Sequence, residues 1–363
     1  MVKVLHAADL HLDSAFVGCS EAEARARRAG QRKLLETIVE LANEAKVDLL
    51  LLAGDVLDGR HAYFETAEVL SESLAKCRAH VFLACGNHDP FDAASPYRNV
   101  RFSENVHLFC SPTVESVELP ELGCVIHGAG FSSSVCEIPL LAGFSAPNDG
   151  RVHLLVLHGE CTEGASENNP IRKRDLEQSG VHYAALGHIH KGTSVQYVGK
   201  TAYAYPGCPE GRGFDECGEK GVLVGYVATD RVEMKFLPLG GQLYEEKTLQ
   251  LHESDSIRER LSSLLPECAK NLHLRVVIEG ESDPIDCAAL EAEFSHRVGS
   301  LVLKDRTRQH RSPWEGEFEQ SLKGAFLRRL HKAYETAEPE AQAILLRAAI
   351  LGVSAMEDRE GAL

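Results

Sequence analysis

The sequence predicts an α/β protein, a layered sandwich with two mixed sheets, followed by a smaller α+β segment and terminal helices. Three observations predict it. Short apolar runs alternate with helical stretches in the first part of the chain. One run, Asp48-Leu-Leu-Leu-Leu-Ala53, has no polar position inside, as befits a strand buried on both faces. Polar residues able to bind metals gather where the apolar runs stop, which is where rigid scaffolds usually hold reactive groups.

Taken in order, Val2–Ala7 reads as a first strand. Glu21–Lys46 reads as a helix, because Leu34, Leu35, Ile38 and Leu41 form an apolar stripe at helical spacing. Asp48–Ala53 is the buried strand, Glu65–Ala79 a helix and His80–Ala84 a strand. Val106–Phe109, Val114–Leu119 and Cys124–His127 read as further strands. Val152–Leu157 runs into His158, and His182–Leu186 runs into Gly187 and His188. Val195–Val198, Thr201–Tyr205, Val222–Ala228 and Arg231–Leu237 look antiparallel. The Pro-Leu-Gly-Gly stretch from Pro238 to Gly241 marks a boundary. After it come a strand (Tyr244–Leu251), a helix (Ser256–Lys270), a strand (His273–Glu279), a helix (Asp286–Arg297) and a strand (Ser300–Lys304). A second break at Arg311-Ser-Pro313 precedes two helices, Trp314–Thr336 and Pro339–Gly352. The expected domains are therefore residues 1–240, 241–311 and 312–363.

Composition narrows the class. At 363 residues the chain exceeds one ordinary domain. Its 44% hydrophobic and 25% charged content is that of a soluble globular protein. No run is long enough to cross a bilayer, and Met1–Ala8 does not resemble a signal peptide, so a cytoplasmic location is expected. The 11 cysteines show no Cys-x-x-Cys pair and read as reduced core filler rather than a zinc site. A net charge of −16 argues against tight nonspecific DNA binding by the isolated chain. It does not exclude a nucleic-acid substrate: two bound divalent cations add four positive charges where a phosphate sits, and acidic faces farther away than a Debye length of ~8 Å are screened.

The chemistry lies in five clusters. They hold Asp9 and His11 in Ala-Asp-Leu-His, Asp55 in Ala-Gly-Asp, Asn87 in Gly-Asn-His-Asp, His158 in Leu-His-Gly-Glu, and His188 and His190 in Gly-His-Ile-His. Gly-Asn-His-Asp is the most specific, since chance would supply roughly 0.001 copies in such a chain. Asp9 and His11, two apart at a strand end, put both side chains on one side. Asp55, short, acidic and preceded by Gly54, can lie between two cations, and Asn87 adds a neutral oxygen. Donors of nitrogen and oxygen without thiolate suit Mn²⁺, Fe or Zn²⁺ better than Mg²⁺ or Ca²⁺ alone. Two ions ~3.5–4 Å apart would acidify a shared water and clamp phosphate oxygens. His88 is assigned to transition-state stabilisation and protonation of the leaving group, with Asp89 orienting its ring. His6, His61, His107, His127, His153 and His182 read as structural, with His61 and His127 as second-tier candidates near the ligand loops.

These residues resemble the calcineurin-type metallophosphoesterase superfamily. The opening Leu-His-Ala-Ala-Asp-Leu-His-Leu-Asp at 5–13 is similar to its SbcD-like branch of DNA repair nucleases, YhaO-type subgroup, as are Tyr205-Pro-Gly207, Gly211-Arg212, Glu216 and Lys220-Gly221. The resemblance covers about residues 1–240. It implies a four-layer α-β-β-α sandwich, with a capping domain at 241–311 and a partner-docking tail at 312–363. It implies one ion on Asp9, His11, Asp55 and His190, a second on Asp55, Asn87, His158 and His188, a catalytic His88, and low-ranked substrate contact by Arg212. It further implies Mn²⁺-dependent DNA exo- and endonuclease activity, a homodimer, and an SbcC-like coiled-coil ATPase partner. Two positions depart from the pattern: Asp58 stands where some relatives carry histidine, and Cys208 where Ser or Asn is common. Two basic runs, Lys304, Arg306, Arg308 and Arg311, then Lys323, Arg328, Arg329 and Lys332, are candidates for phosphate contact. Two alternatives stay open: a phosphoesterase for small nucleotides or phosphoproteins, and a non-catalytic scaffold in a repair complex.

Overall fold

In a computed structural model of the chain, which describes residues 1–17, 19–59, 64–252, 255–308 and 313–360, the strands of the first part are Val2–Ala7 (β1), Leu49–Leu52 (β2), His80–Ala84 (β3), Val106–Phe109 (β4), Glu115–Leu119 (β5), Cys124–Gly128 (β6) and Val152–His158 (β7). Glu160–Cys161 (β8), Pro170–Ile171 (β9), Tyr183–Gly187 (β10), Gln196–Val198 (β11), Thr201–Ala204 (β12), Gly221–Val227 (β13) and Val232–Pro238 (β14) follow. The helices among them are Glu21–Glu44 (α1), Phe64–Ala75 (α2) and Lys173–Gln178 (α3). Ser20 starts α1 with a capping box: its hydroxyl accepts from Glu23 N, and the Glu23 carboxylate accepts from Ser20 N at 2.9 Å.

Two six-stranded sheets form, ordered β14-β13-β1-β2-β3-β4 and β11-β12-β10-β7-β6-β5. Strands β1 to β4 run parallel to one another, as do β6, β7, β10 and β12. The pairs β13–β14 and β11–β12 are antiparallel, as the sequence predicts.

Three separate apolar cores make the layers. Val4, Leu49, Leu51 and Phe82 of the first sheet meet Ile126, Leu154, Val156 and Tyr183 of the second. On the other face of the first sheet, Leu50, Leu52 and Leu83 pack on Leu35 and Ile38 of α1 and Leu70 of α2. On the other face of the second sheet, Leu155, Leu157 and Leu186 pack on Leu176 of α3. The all-leucine β2 is thus split between two cores, which is why it tolerates no polar position. The result is the expected α-β-β-α sandwich.

The rest of the chain comprises Leu243–Leu251 (β15), Ile257–Leu264 (α4), Ala269–Gly280 (β16), Cys287–Phe294 (α5), Val298–Asp305 (β17), Leu322–Tyr334 (α6) and Pro339–Glu360 (α7). The last three strands form a sheet ordered β15-β16-β17. The helix expected over Ser256–Lys270 stops at Leu264. Pro266 has no N–H to donate and pushes Leu265 into extended backbone, ψ 139°. The freed chain starts β16 at Ala269 rather than His273. The helix expected from Trp314 begins only at Leu322, where the Ser321 hydroxyl caps it by accepting from Gly324 N at 3.1 Å. The last helix passes through Gly352 instead of ending there. A Cβ at that glycine would lie 2.4 Å from Cζ of Phe326, so the glycine permits close packing of α7 on α6.

The chain divides into two units. One holds Met1–Glu246 with Cys268–Arg275 and Val298–Ser300; the other holds Lys247–Glu267, Val276–Arg297 and Leu301–Leu363. Among the described residues no helix is long and apolar enough to cross a membrane. His61 and Arg311 lie outside the described residues.

Leu35 is fully buried between α1 and the first sheet. Leu35→Ala should lower the free energy of unfolding by about 2–5 kcal/mol, measured by chemical denaturation of the purified chain.

Candidate metal centre

The parallel strands β1, β2 and β3 of one sheet and β7 and β10 of the other end beside one another, and the five sequence clusters occupy those ends. In open α/β sheets the carboxyl ends of strands are where ligands bind. The loops after β1 and β2 stay paired beyond their strands: Asp9 N donates to Gly54 O at 3.1 Å and His11 N to Asp55 O at 3.0 Å. This pairing brings Asp9, His11 and Asp55 together. All three have left-handed backbone, φ 55°, 46° and 50°, and His188 has φ 108°. Each such residue costs about 1–3 kcal/mol and persists only where the surroundings hold it.

Two groups of donors converge on one oxygen. Asp55 Oδ2 lies 3.7 Å from His11 Nε2 and 3.3 Å from His158 Nε2. On the first side, His11 Nε2 is 3.2 Å from His190 Nε2, and Asp9, His11 and His190 offer donor atoms within 4.8 Å of one another. On the second side, His158 Nε2 is 2.9 Å from Asn87 Oδ1. The ring of His158 is aimed by its other nitrogen, whose Nδ1–H donates to Ala53 O at 2.9 Å. Asp55 Oδ1 accepts from His88 N at 2.8 Å. A Cβ on Gly86 would meet that oxygen at 2.2 Å, so only glycine leaves the carboxylate in place.

His188 is placed differently from its neighbours. Its backbone N–H donates to Asp9 at 3.0 Å and its ring meets His158 edge-on at 5.3 Å. It belongs to none of the convergent donor groups among the described residues.

Burial and mutual charge set the titration of this cluster. Asp9, His11, Asp55 and His158 are almost wholly buried. Burial, reinforced by nearby Asp55, pushes Asp9 above the usual carboxylate range despite His158. Burial opposes ionisation of Asp55 too, yet His158 and His11 hold its carboxyl well below that range. Burial likewise opposes charge on His158, but Asp55 and Asp9 push it up to about 9. Burial brings His11 and His188 down to about 4, which leaves their nitrogen lone pairs available at neutral pH. Imidazoles, two buried carboxylates and an amide oxygen form a donor set that fits divalent cations of the Mn, Fe or Zn type. Cys208 lies near His190 and Glu216, but burial pushes its thiol up to about 12, so it offers no thiolate.

A further layer holds these donors, and the sequence reading largely missed it. Glu216 Oε1 accepts from His190 Nδ1 at 2.7 Å and from Arg212 at 2.7 Å, which turns His190 Nε2 toward His11. Arg212 also donates to Ser14 Oγ at 3.2 Å and stands 4.0 Å from Asp58. Asp58 Oδ1 lies 2.9 Å from His88 Nδ1 and 3.5 Å from His11 Nδ1.

The orienting role expected of Asp89 is therefore corrected: Asp58 holds the His88 ring. The side chains of adjacent residues diverge, and that of Asp89 turns inward. There it accepts from Gly86 N at 2.6 Å, Val56 N at 2.8 Å, Leu57 N at 3.1 Å and Tyr97 Oη at 2.6 Å, tying the β3 loop to the β2 loop. The hydrogen bond to Asp58 raises His88 above the ordinary imidazole value against its partial burial. A carboxylate three residues after Asp55, on the same loop, is the sequence signal for that role. The second-tier histidine His127 does not join this site; its partners are Ser116 and His153.

The sequence model of the calcineurin-like phosphoesterase family matches residues 2–192. The chain belongs to that family. As a metallophosphoesterase it is a hydrolase, and its clustered donors suggest divalent metals. It is 29% identical over 294 residues to the uncharacterized metallophosphoesterase YhaO of Bacillus subtilis, covering 76% of this chain and 71% of that one. It is 23% identical over 260 residues to the SbcD component of the nuclease SbcCD of the same organism, covering 60% and 64%. It is 22% identical over 231 residues to the DNA double-strand break repair protein Mre11 of Methanopyrus kandleri, covering 58% and 49%. The chain thus spans less than two thirds of the length of the last two.

Gly86→Ala should displace Asp55 and reduce bound metal at least as strongly as loss of any single histidine donor, measured by elemental analysis after dialysis. Full metal content in a folded Gly86→Ala protein would contradict the placement of Asp55.

Proposed function

We propose that the chain is a phosphodiesterase working with two divalent metal ions, Mn²⁺ best suited, and that it cleaves DNA as an exo- or endonuclease of the SbcD type in DNA repair. The single observation that carries the two-ion reading is Asp55 Oδ2, which faces His11 on one side and His158 on the other. Asp9, His11 and His190 would complete one set with Asp55; Asn87, His158 and His188 would complete the other. The DNA substrate is supported by relatives named as part of the nuclease SbcCD and as a DNA double-strand break repair protein. The same resemblance supports residues 241–311 as a cap over the substrate, residues 312–363 as a docking segment for an SbcC-like coiled-coil ATPase, and a homodimer. Of the basic candidates, Arg328 already donates to Glu319 O at 3.0 Å and is the less available for phosphate contact.

Bound cations supply positive charge to the phosphate oxygens and make a water acidic enough to serve as the nucleophile. The remaining chemistry belongs to the chain. Asp58 accepts the Nδ1 proton of His88, which fixes the ring and leaves Nε2 to face the substrate. His88 is 45% exposed at its side chain, so a phosphodiester can reach it. From there Nε2–H donates a proton to the departing alkoxide oxygen. Arg212, beside Asp58, adds a guanidinium for the phosphate.

Chelated protein should be inert on end-labelled linear DNA, and Mn²⁺ should restore cleavage. Cleavage confined to mononucleotide esters or phosphopeptides would defeat the DNA assignment. His88→Ala should retain metal and lose about 10²–10⁴-fold in turnover on DNA. On a nitrophenyl phosphodiester, whose leaving group needs no proton, the loss should be much smaller. Equal losses on both substrates would remove His88 from proton donation. Asp58→Asn should shift both substrates in the same direction as His88→Ala, with a smaller loss on DNA.

A further inference from the structure

The second sheet carries another constellation, made by residues that take no part in the metal centre. Ser116 on β5 is paired directly across the ladder with His127 on β6. Ser116 Oγ is 2.8 Å from His127 Nδ1, His127 Nε2 is 3.0 Å from His153 Nδ1, and His153 Nε2 is 3.0 Å from Asp149 Oδ1. The His127 and His153 rings stack at 5.3 Å with 7° between planes, and Phe144 covers His127 at 4.9 Å. Both imidazoles are buried, whereas Ser116 is exposed.

One choice of tautomers gives these hydrogen bonds a single direction. Arg151 and His153 hold Asp149 well below the usual carboxylate range, so its oxygen only accepts. With His153 Nε2 donating to that oxygen, its Nδ1 accepts from His127 Nε2–H. That leaves His127 Nδ1 as a lone pair directed at the Ser116 hydroxyl. Burial, with His153 beside it, brings His127 down to about 4, so the ring is neutral at neutral pH. A hydroxyl on an imidazole that is itself oriented, through a second imidazole, by a carboxylate is the arrangement of an activated serine. A network built only to tie strands together has no need of an exposed hydroxyl at its end. Strand β5 is also the last strand of its sheet, so its N–H groups that point away from β6 have no strand partner among the described residues. Such groups can stabilise an oxyanion.

We propose that Ser116 is a nucleophile with His127 as its base, and that it takes small activated carboxylic esters in acyl transfer. Ser116 Oγ bonds to the carbonyl carbon while His127 Nδ1 takes the hydroxyl proton. The carbon–oxygen bond to the alcohol breaks, and the alcohol leaves with that proton. Water then adds to the acyl carbon by the same steps, releasing the carboxylic acid and restoring Ser116. This proposal is independent of the nuclease reading.

The test uses the full chain in chelator, treated with a fluorophosphonate probe and mapped by peptide mass spectrometry, with nitrophenyl acetate hydrolysis followed in parallel. Ser116 should be the labelled residue. Ser116→Ala should abolish labelling and ester turnover while leaving metal-dependent phosphoesterase activity unchanged. Asp149→Asn, at the exposed far end, should slow labelling by about a hundredfold without loss of fold. Absence of label at Ser116, ester turnover surviving in Ser116→Ala, or an unchanged labelling rate in Asp149→Asn would each overturn the proposal.

Discussion

The geometry of the whole centre depends on a single carboxylate. Asp55 is buried, sits in left-handed backbone and has donors on both sides of one oxygen. Nothing in that arrangement is stable for an isolated loop. A buried anion is expensive unless paired and hydrogen-bonded, and strained backbone relaxes unless its neighbours prevent it. The chain prevents it from several directions. The β1 loop pairs with the β2 loop, Asp89 gathers the amides that follow Asp55, and Gly86 leaves space where any side chain would collide.

The two-sheet sandwich follows from the same need. His11 and Asp55 come from the first sheet, His158 and His190 from the loops of the second. Their separation is set by how the sheets pack, through Val4, Leu51 and Phe82 against Leu154, Val156 and Tyr183. Side chains in such cores interdigitate at crystal-like density. The spacing of donors across the centre is therefore as rigid as the core beneath it. Donor side chains placed at the ends of buried parallel strands gain that rigidity.

Much of this was legible in the amino-acid order. Strand positions could be read because parallel strands buried on both faces are continuous apolar runs, as in Leu49–Leu52. The clusters could be read because their residue types occur at the ends of those runs. What could not be read depends on tertiary partners. Asp89 adjoins His88 in sequence, yet Asp58 reaches its ring; Glu216 lies far along the chain from His190 and still aims it. Local competition hid other features. Pro266 cut one helix short and released a longer β16, and the acidic, glycine-containing stretch after Trp314 stays non-helical until Ser321 caps α6. The Ser116–His127 pair is a cross-strand contact that depends on register, and spacing alone does not reveal register.

The central claim concerns one oxygen between two cations, and anomalous diffraction from Mn²⁺-loaded crystals addresses it directly. The account predicts two peaks about 3.5–4 Å apart, lying on opposite sides of Asp55 Oδ2, one toward His11 and His190 and the other toward His158 and Asn87. A single peak, or two peaks that share no ligand, would contradict it.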